Sequence, residues 1–193
     1  IEGVTYYFSI RAVDNVNNVS TVVTSDGIIT DFTGPEGTWV NDGDSEDIDR
    51  QNFTDSFSGY WSHFTDGGSG FQTHEYAIYN SDNSQYTTSW IATLDTSSVI
   101  TGLSLVENET YSLHIRGIDN VNNVGDVLMS DGVLIDLSAP TAPADLVAWF
   151  SSERIYLEWT ANSEEDFDYY SIYGGLESNP TTLLLTTANA SAE

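Results

Sequence analysis

The chain has 193 residues, 39% apolar and 12% aromatic, and this content predicts packed cores instead of a disordered acidic tail. Its 30 acidic residues outweigh 4 basic ones, all arginine, so the formal net charge is -26. A surface of this sign repels nucleic acids and anionic membranes, which argues against DNA and RNA as partners. The absence of cysteine excludes disulfides and zinc–thiolate sites, and no apolar run approaches the ~20 residues that span a bilayer.

Residues 1–35 carry the pattern of two strands joined by a turn. The alternation along residues 6–13 has a period of two, which predicts a strand with one buried face. The run DNVNN at 14–18 predicts a turn, because Asn and Asp side chains bond their own backbone. A second strand follows, with a break at residues 25–27 and a proline, Pro35, at the end of the domain. The predicted inward residues are Tyr6, Phe8, Ile10 and Ala12.

The same stretch recurs later in the chain without a gap. Residues 5–35 match residues 110–140 at about half of the positions, and each matched position lies 105 residues further on, as Arg11 and Arg116 do. A fixed period the size of a small domain indicates tandem domains. In the second copy the predicted inward residues are Tyr111, Leu113, Ile115 and Gly117, and the predicted outward residues are Ser112, His114, Arg116 and Ile118.

Residues 36–140 contain seven predicted strands and no helical periodicity, which indicates a complete β-sandwich. Trp61, in the second strand, is the predicted centre of the core. The strands are predicted at 38–40, 57–61, 72–79, 89–94, 99–103, 110–117 and 127–135.

The last segment, residues 141–193, restarts the strand pattern around Trp159 and Tyr170 and ends before its own copy of the repeat. The predicted domains are therefore the C-terminal part of one sandwich (1–35), a complete one (36–140) and the N-terminal part of a third (141–193). Two explanations of the partial domains are open. The chain is an excerpt from a longer array, or it forms a head-to-tail polymer by strand pairing between molecules.

Several motifs resemble fibronectin type III domains. Leu105 followed by Tyr111 resembles the tyrosine corner of that family, and Trp61 and Trp159 stand where it places a core tryptophan. PADLVA with IYLEWTANSEEDFDYYSIYGG is the most typical stretch, and WSHFTDGGSGFQTHEYAIY resembles a subtype in large secreted proteins of environmental bacteria. The resemblance implies an all-β fold of tandem seven-stranded, Ig-like fibronectin type III β-sandwiches, one complete and two partial. It implies no activity.

An acidic loop is the first candidate metal site. Five carboxylates lie within eight residues of a predicted loop, and clustered oxygen ligands on a flexible loop suit calcium. The spacing is not that of an EF-hand, and a solvated acidic loop is the alternative. The carboxylates are Asp42, Asp44, Glu46, Asp47 and Asp49.

The domain junction is the second candidate calcium site. In the topology that the resemblance implies, loops of the middle sandwich approach the preceding linker, in the manner of calcium-stiffened cadherin junctions. The alternative is ordinary turn chemistry at the repeated Asx-rich run. The loop residues are Asp66, Asp119, Asn120 and Asn122, and the linker residues are Asp31 and Glu36.

Catalysis is not expected, because the three histidines match no zinc motif and no G-x-S-x-G elbow is present. A glycan is a candidate partner if several aromatic residues share one exposed face, although core packing is the alternative. These aromatics are Trp39, Trp90, Trp149, Tyr60, Tyr79 and Tyr86.

The sequence therefore predicts a non-catalytic structural repeat segment of a secreted or cell-surface bacterial protein, such as a fibre, stalk or adhesin. Its expected partners are neighbouring domains of the same array. The alternative is a carbohydrate-binding or spacer module attached to a secreted hydrolase.

Overall fold

The structure is a computed structural model that describes residues 1–192, and all its regular elements are β-strands. The all-β fold class predicted from the sequence is thereby confirmed. The chain divides into two compact units, with the boundary in sequence between Leu137 and Ser138. Within the described residues no helix has the length and apolar character needed to cross a bilayer. Division of the chain into three domains stays a prediction, since residues 1–35 belong to the same compact unit as the sandwich after them.

Residues 1–35 form two short antiparallel ladders. Strand β1 (Thr5–Tyr6) pairs with β4 (Ile28–Ile29), and β2 (Ser9–Ile10) pairs with β3 (Val23–Thr24). All eight strand residues are exposed. The predicted burial of one face is wrong for this segment, because a two-stranded ladder in this unit has no second sheet against that face.

Ten strands in residues 36–137 form a sandwich of two sheets. One sheet has the order β11-β7-β5, and the other has the order β10-β8-β12-β14-β6, with β13 on β12 and β9 on β8. Neighbouring strands are antiparallel except β6 and β14, which run parallel. The strands are β5 (Val40–Asp42), β6 (Arg50–Gln51), β7 (Ser56–Trp61), β8 (Phe71–Asn80), β9 (Gln85–Tyr86), β10 (Ile91–Thr93), β11 (Ser97–Thr101), β12 (Thr110–Asp119), β13 (Leu128–Met129) and β14 (Val133–Ile135).

Each of the seven predicted strand regions contains a strand, with shifted ends. The first strand begins at Val40 instead of residue 38, and the last is divided into β13 and β14 at the predicted break, where Gly132 has a φ of 105°. Strands β6 and β9 were not predicted, because two-residue strands carry no periodic signal.

The core lies between the two sheets and is centred on Trp61, which is 1% exposed. Leu113 and Ile115 of β12 are fully buried, as predicted from their alternation. The opposite face of β12 is not all exposed: Ser112 and His114 are each 5% exposed. The prediction that these two side chains are exposed is therefore wrong. His114 is buried because the rings of Tyr79 and Tyr86 pack against it.

The second unit has two small sheets. One has the order β15-β16-β19 and the other pairs β17 with β18. Trp159 and Tyr170 are each 7% exposed and meet edge to face, with ring centroids 4.9 Å apart. The strands are β15 (Ala144–Ser151), β16 (Arg154–Thr160), β17 (Tyr170–Tyr173), β18 (Leu183–Thr187) and β19 (Ser191–Ala192).

Candidate functional site

The most constrained polar region of the first unit is the linker at residues 31–36, which lies between two loops of the sandwich. Pro35 is less than 2% exposed. The backbone N–H of Glu36 donates to the carbonyl of Thr65, and the N–H of Thr65 donates to the carbonyl of Glu36, both at 2.9 Å. These reciprocal bonds attach the linker to the loop that follows β7.

Three glycines let the linker approach the sandwich closely. A Cβ on Gly34 would overlap the backbone of Val124 and Gly125, and one on Gly125 would overlap the carbonyl of Pro35. A Cβ on Gly117, in β12, would lie 2.7 Å from the Cβ of Pro35. Any side chain at these positions would push the linker away, so the close seating of the linker depends on glycine.

Asp31 connects the linker to the loop at residues 66–70. Its Oδ2 accepts a hydrogen bond from the N–H of Ser69 at 2.5 Å, and its Oδ1 accepts one from the N–H of Thr33 at 3.2 Å. The side chain and backbone of Ser69 lower the pKa of Asp31, because these donors stabilise the ionised form. Asp31 is 8% exposed, so the linker holds an ionised carboxylate with little solvent contact.

Asp66 and Asp119 each organise a loop through backbone donors. Oδ2 of Asp66 accepts from the N–H of Gly70 at 2.6 Å. Oδ1 of Asp119 accepts from the N–H of Asn123 at 2.7 Å, and the side-chain amide of Asn123 also donates to the carbonyl of Thr33 at 3.3 Å. The turn that Asp119 shapes therefore contacts the linker directly.

The carboxylates of Asp31, Asp66 and Asp119 converge at the junction, with one oxygen from each lying within 4.8 Å of the others. Asp31 and Asp119 are buried, and three like charges at this distance favour a cation. Asn122 is not part of this group. It occupies a left-handed turn position with a φ of 69°, and its N–H donates to the carbonyl of Asp119.

Only some of the candidate carboxylates of the acidic loop lie close together in the structure. Asp42 and Asp47 lie with Asp131, again with carboxylate oxygens within 4.8 Å of one another, whereas Asp44 and Asp49 are exposed and outside this group. Asp131, which belongs to the break between β13 and β14, was not predicted to be a metal ligand. Its proximity to Asp42 arises from the packing of the two sheets, because β5 and the last strand belong to different sheets.

Asp42 is fully buried at the edge of this loop. Its Oδ1 accepts from the hydroxyl of Ser130 at 2.7 Å, and its Oδ2 accepts from the N–H of Gly132 at 3.0 Å. Burial, opposed by these two bonds, raises the pKa of Asp42 to about 6. Asp42 thus binds Ser130 and Gly132 at the break between β13 and β14, which is a structural role.

The buried histidines are packed among aromatic rings. His74 is fully buried beside Phe71 and Trp61, and burial lowers its pKa. His114 stacks on Tyr79 at 4.5 Å, and its Nδ1 lies 3.1 Å from the hydroxyl of Tyr86. Burial also lowers the pKa of His114, because an apolar environment disfavours the charged form of the ring.

The six aromatics considered for glycan binding fall into separate groups. Trp39 meets Tyr60, Tyr79 and Trp90 both meet Tyr86, and Trp149 lies in the second unit. The face of Trp90 is covered by the guanidinium of Arg116, 4.1 Å from the ring centroid. That guanidinium also binds Glu75 at 2.7 Å.

No family model matches the sequence, and no curated protein matches it. Among solved structures, the FN1–FN3 domains of chicken CNTN1 are 17% identical over 100% of this chain and 65% of that one, with a TM-score of 0.48. The twitchin kinase region from C. elegans is 15% identical over 56% of this chain and 19% of that one, with a TM-score of 0.37. A structure of consecutive titin domains is 14% identical over 67% of this chain and 40% of that one, with a TM-score of 0.43.

This chain spans less than two thirds of the length of each of these structures. No activity or partner is carried over from similarities of this size. The sheets themselves identify the fold: two mainly antiparallel sheets pack face to face around Trp61, with β5, β7 and β11 opposite β10, β8, β12 and the divided last strand. The chain therefore has the all-β architecture of fibronectin type III and Ig-like sandwiches.

Proposed function

We propose that the chain is a non-catalytic structural segment of an extracellular or cell-surface bacterial protein, a stalk, fibre or adhesin built from tandem sandwiches. The observation that carries this proposal is the seating of the linker, with Pro35 buried and Glu36 and Thr65 joined by two hydrogen bonds. A junction of this kind limits bending between a sandwich and the segment that precedes it, which is what a spacer requires.

The composition is compatible with an extracellular location. A lysine-free chain with a net charge of -26 stays soluble by self-repulsion, and a cysteine-free one needs no particular redox compartment. Protease treatment of intact cells of the source organism tests the location. Removal of the protein from intact cells or its recovery from the medium is expected, and its confinement within cells would contradict the proposal.

The rigidity of the junction is tested with Gly125→Val and a matched control, Gly67→Val. A Cβ on Gly125 would overlap the carbonyl of Pro35, whereas a Cβ on Gly67 meets no atom within 4 Å. We expect Gly125→Val to accelerate hydrogen exchange at the amides of Glu36 and Thr65 by about tenfold or more, because local opening exposes both donors. Equal exchange rates in the two variants would mean that the linker is not seated by this contact.

We also propose that the junction binds calcium through Asp31, Asp66 and Asp119. The donor set is suitable because it offers three carboxylates in one place and the two buried ones have no cationic neighbour among their described contacts. The backbone N–H groups that bind these carboxylates would hold them in position around an ion and supply no positive charge of their own.

Thermal unfolding in calcium and in EDTA tests this proposal. At a calcium concentration 100-fold above its dissociation constant, binding would contribute about 2.7 kcal/mol and raise the melting temperature by several degrees. Asp66→Asn should remove the increase, and Asp49→Asn, an exposed residue outside the group, should retain it. Identical melting curves in calcium and EDTA would eliminate the calcium site without affecting the spacer proposal.

A further inference from the structure

The second unit contains an open apolar cleft. Its two sheets, β15-β16-β19 and β17-β18, border a cavity of about 560 Å³. Core-type side chains line it, including Leu146, Leu157, Trp159, Tyr170 and Ile172. Leu146 is 66% exposed, so the cleft presents apolar surface that the described part of this unit does not cover.

The complete sandwich shows what occupies such a cleft. Trp61 lies on β7 with its ring 5.9 Å from Tyr76 of β8, as Trp159 on β16 lies beside Tyr170 of β17. Strand β17 therefore corresponds to β8. In the sandwich, β12 pairs along the edge of β8 and inserts Leu113 and Ile115 between the sheets, where both are fully buried.

Residues 1–35 present the same element with its apolar face open. At the positions that match Tyr111, Leu113, Ile115 and Val133 of the sandwich, the residues are Tyr6, Phe8, Ile10 and Ile28. Those of the sandwich are 2%, 0%, 0% and 0% exposed, and their counterparts are 39%, 65%, 72% and 62% exposed.

We propose that the cleft of the second unit takes residues 5–29 of a second copy of this chain. The register follows from the sandwich, where Leu113 is opposite Ile78 and Ile115 is opposite Tyr76. By the same pairing, Phe8 of one copy lies opposite Ile172 of the other, and Ile10 lies opposite Tyr170. The strand then pairs along the edge of β17 and fills the cavity.

The area and the charges at this interface are favourable. Covering the four exposed side chains and the cleft they enter removes on the order of 1,000 Å² from water, near the lower limit for specific interfaces. In the sandwich Arg116 is opposite Glu75 and binds it. Its counterpart Arg11 falls opposite Tyr169 and next to Asp168, so one of the few cations of the chain meets an acidic segment.

The remaining surface opposes association, since each copy carries a charge of -26. Salt screens this repulsion but leaves the apolar contact intact, so association strengthens as ionic strength increases. Each copy would contribute this cleft to one neighbour and residues 5–29 to another, and a head-to-tail contact of this type produces open chains of increasing length. This inference is independent of the proposed spacer role, which a monomer would fulfil equally well.

Analytical ultracentrifugation over a range of protein concentrations tests the inference in 0.15 M and 1 M NaCl. We expect species larger than the 21.2 kDa monomer whose mean mass increases with protein and salt concentration. Ile10→Glu should restore the monomer, because the charge would enter the cleft. The matched variant Val16→Glu, at a turn residue that is 70% exposed, should associate like the original chain.

Both substitutions are at exposed positions, so neither should prevent folding, and circular dichroism checks this. A monomer of 21.2 kDa under all conditions would overturn the inference. So would an equal loss of association in both variants, which would indicate non-specific contact between exposed apolar residues. A third variant, Leu146→Glu, places the charge on the cleft, and retention of oligomers by it would also contradict the pairing.

Discussion

Residues 5–35 and 110–140 have closely similar sequences and nearly the same local hydrogen bonds, but they differ in burial. In the first copy the N-terminal ammonium of Ile1 donates to the Tyr6 hydroxyl at 3.2 Å, and in the second the backbone N–H of Val106 donates to the Tyr111 hydroxyl at 3.1 Å. Tyr6 is 39% exposed and Tyr111 is 2% exposed. The tyrosine corner is therefore a local structure that forms with or without a surrounding core.

The Asx-rich turn gives the same result. Asp14 accepts from the N–H of Val16 at 2.9 Å and from the N–H of Asn18 at 2.8 Å, and Asp119 accepts from the matching N–H groups at 2.9 and 2.7 Å. Asn17 and Asn122 both have a φ of 69°. Turn geometry is thus encoded by a few neighbouring residues, while the energy of burial depends on what packs on the strand.

The two copies of the repeat should differ most in the loss of stability when their matched isoleucines are replaced by alanine. Ile115→Ala should destabilise the sandwich by about 2–5 kcal/mol, because it leaves a cavity in a packed core. Ile10→Ala should change stability by less than about 0.5 kcal/mol, since Ile10 is 72% exposed. Urea unfolding at low protein concentration, where copies do not associate, measures both values, and similar losses would mean that Ile10 is buried within its own chain.

The matched aspartates should show a smaller difference. Asp119→Ala removes the acceptor of three hydrogen bonds at a fully buried position and should cost about 1–3 kcal/mol. Asp14→Ala removes the same bonds at an exposed turn, where water replaces the acceptor, and should cost less than about 1 kcal/mol. Unfolding of both variants in EDTA excludes any effect of a bound ion, and equal costs would show that burial does not matter at this turn.

The pH dependence of stability tests the contact of Asp42 with Ser130 and Gly132, at the break between β13 and β14. Burial raises the pKa of Asp42 from 3.8 to about 6, so the folded chain binds more protons than the unfolded chain between these values. The contribution of Asp42 to stability therefore falls as pH rises through this window, by on the order of 1 kcal/mol between pH 5 and pH 7.

Comparison with Asp42→Asn isolates this effect. His74 and His114, whose pKa values are lowered, act in the opposite direction and are present in both proteins, so the difference between the two stability curves reports Asp42. The measurement is chemical denaturation at pH 5, 6 and 7 in EDTA. Parallel curves for the two proteins would mean that Asp42 does not titrate in this range.

The smallest expected difference is at the tyrosine corners. Tyr111→Phe removes a hydroxyl that accepts from Val106 and donates to Glu109 at 2.9 Å, at a nearly buried position, and should cost about 1 kcal/mol. Tyr6→Phe should be nearly neutral, because its hydroxyl lies on an exposed ladder. Thermal unfolding of the two variants under the same conditions gives the comparison, and a larger loss for Tyr6→Phe would contradict it.

Much of the fold could be predicted from the sequence, because the alternation of inward and outward residues in β7 and β12 and the fixed repeat period are both visible in a single sequence. Burial of Phe8 and Ile10 was predicted wrongly for a definite reason. Alternation shows which residues share a face, but not whether a second sheet covers that face. The buried position of His114 was missed for a related reason, because its cover comes from Tyr86, in a two-residue strand without a periodic signal.

At the candidate sites the outcome depended on whether the topology that the resemblance implies already placed the partners near one another. Asp66 and Asp119 were expected near Asp31 from the topology that the resemblance implies, and the three carboxylates do lie together. Asp131 was missed because its position beside Asp42 depends on how the two sheets pack against each other, since β5 and the divided last strand lie in different sheets. The glycines of the junction were missed too, since close approach of two backbones leaves no pattern in the neighbouring residues.

The contact of Gly125 with the linker has a consequence for how such a chain can change over time. A turn that contacts the preceding linker cannot gain or lose residues without displacing Pro35. The contact with the linker therefore fixes the length of residues 119–125. Insertions are tolerated in loops that face only water. Insertions within residues 119–125 should therefore be tolerated less well than insertions in such exposed loops.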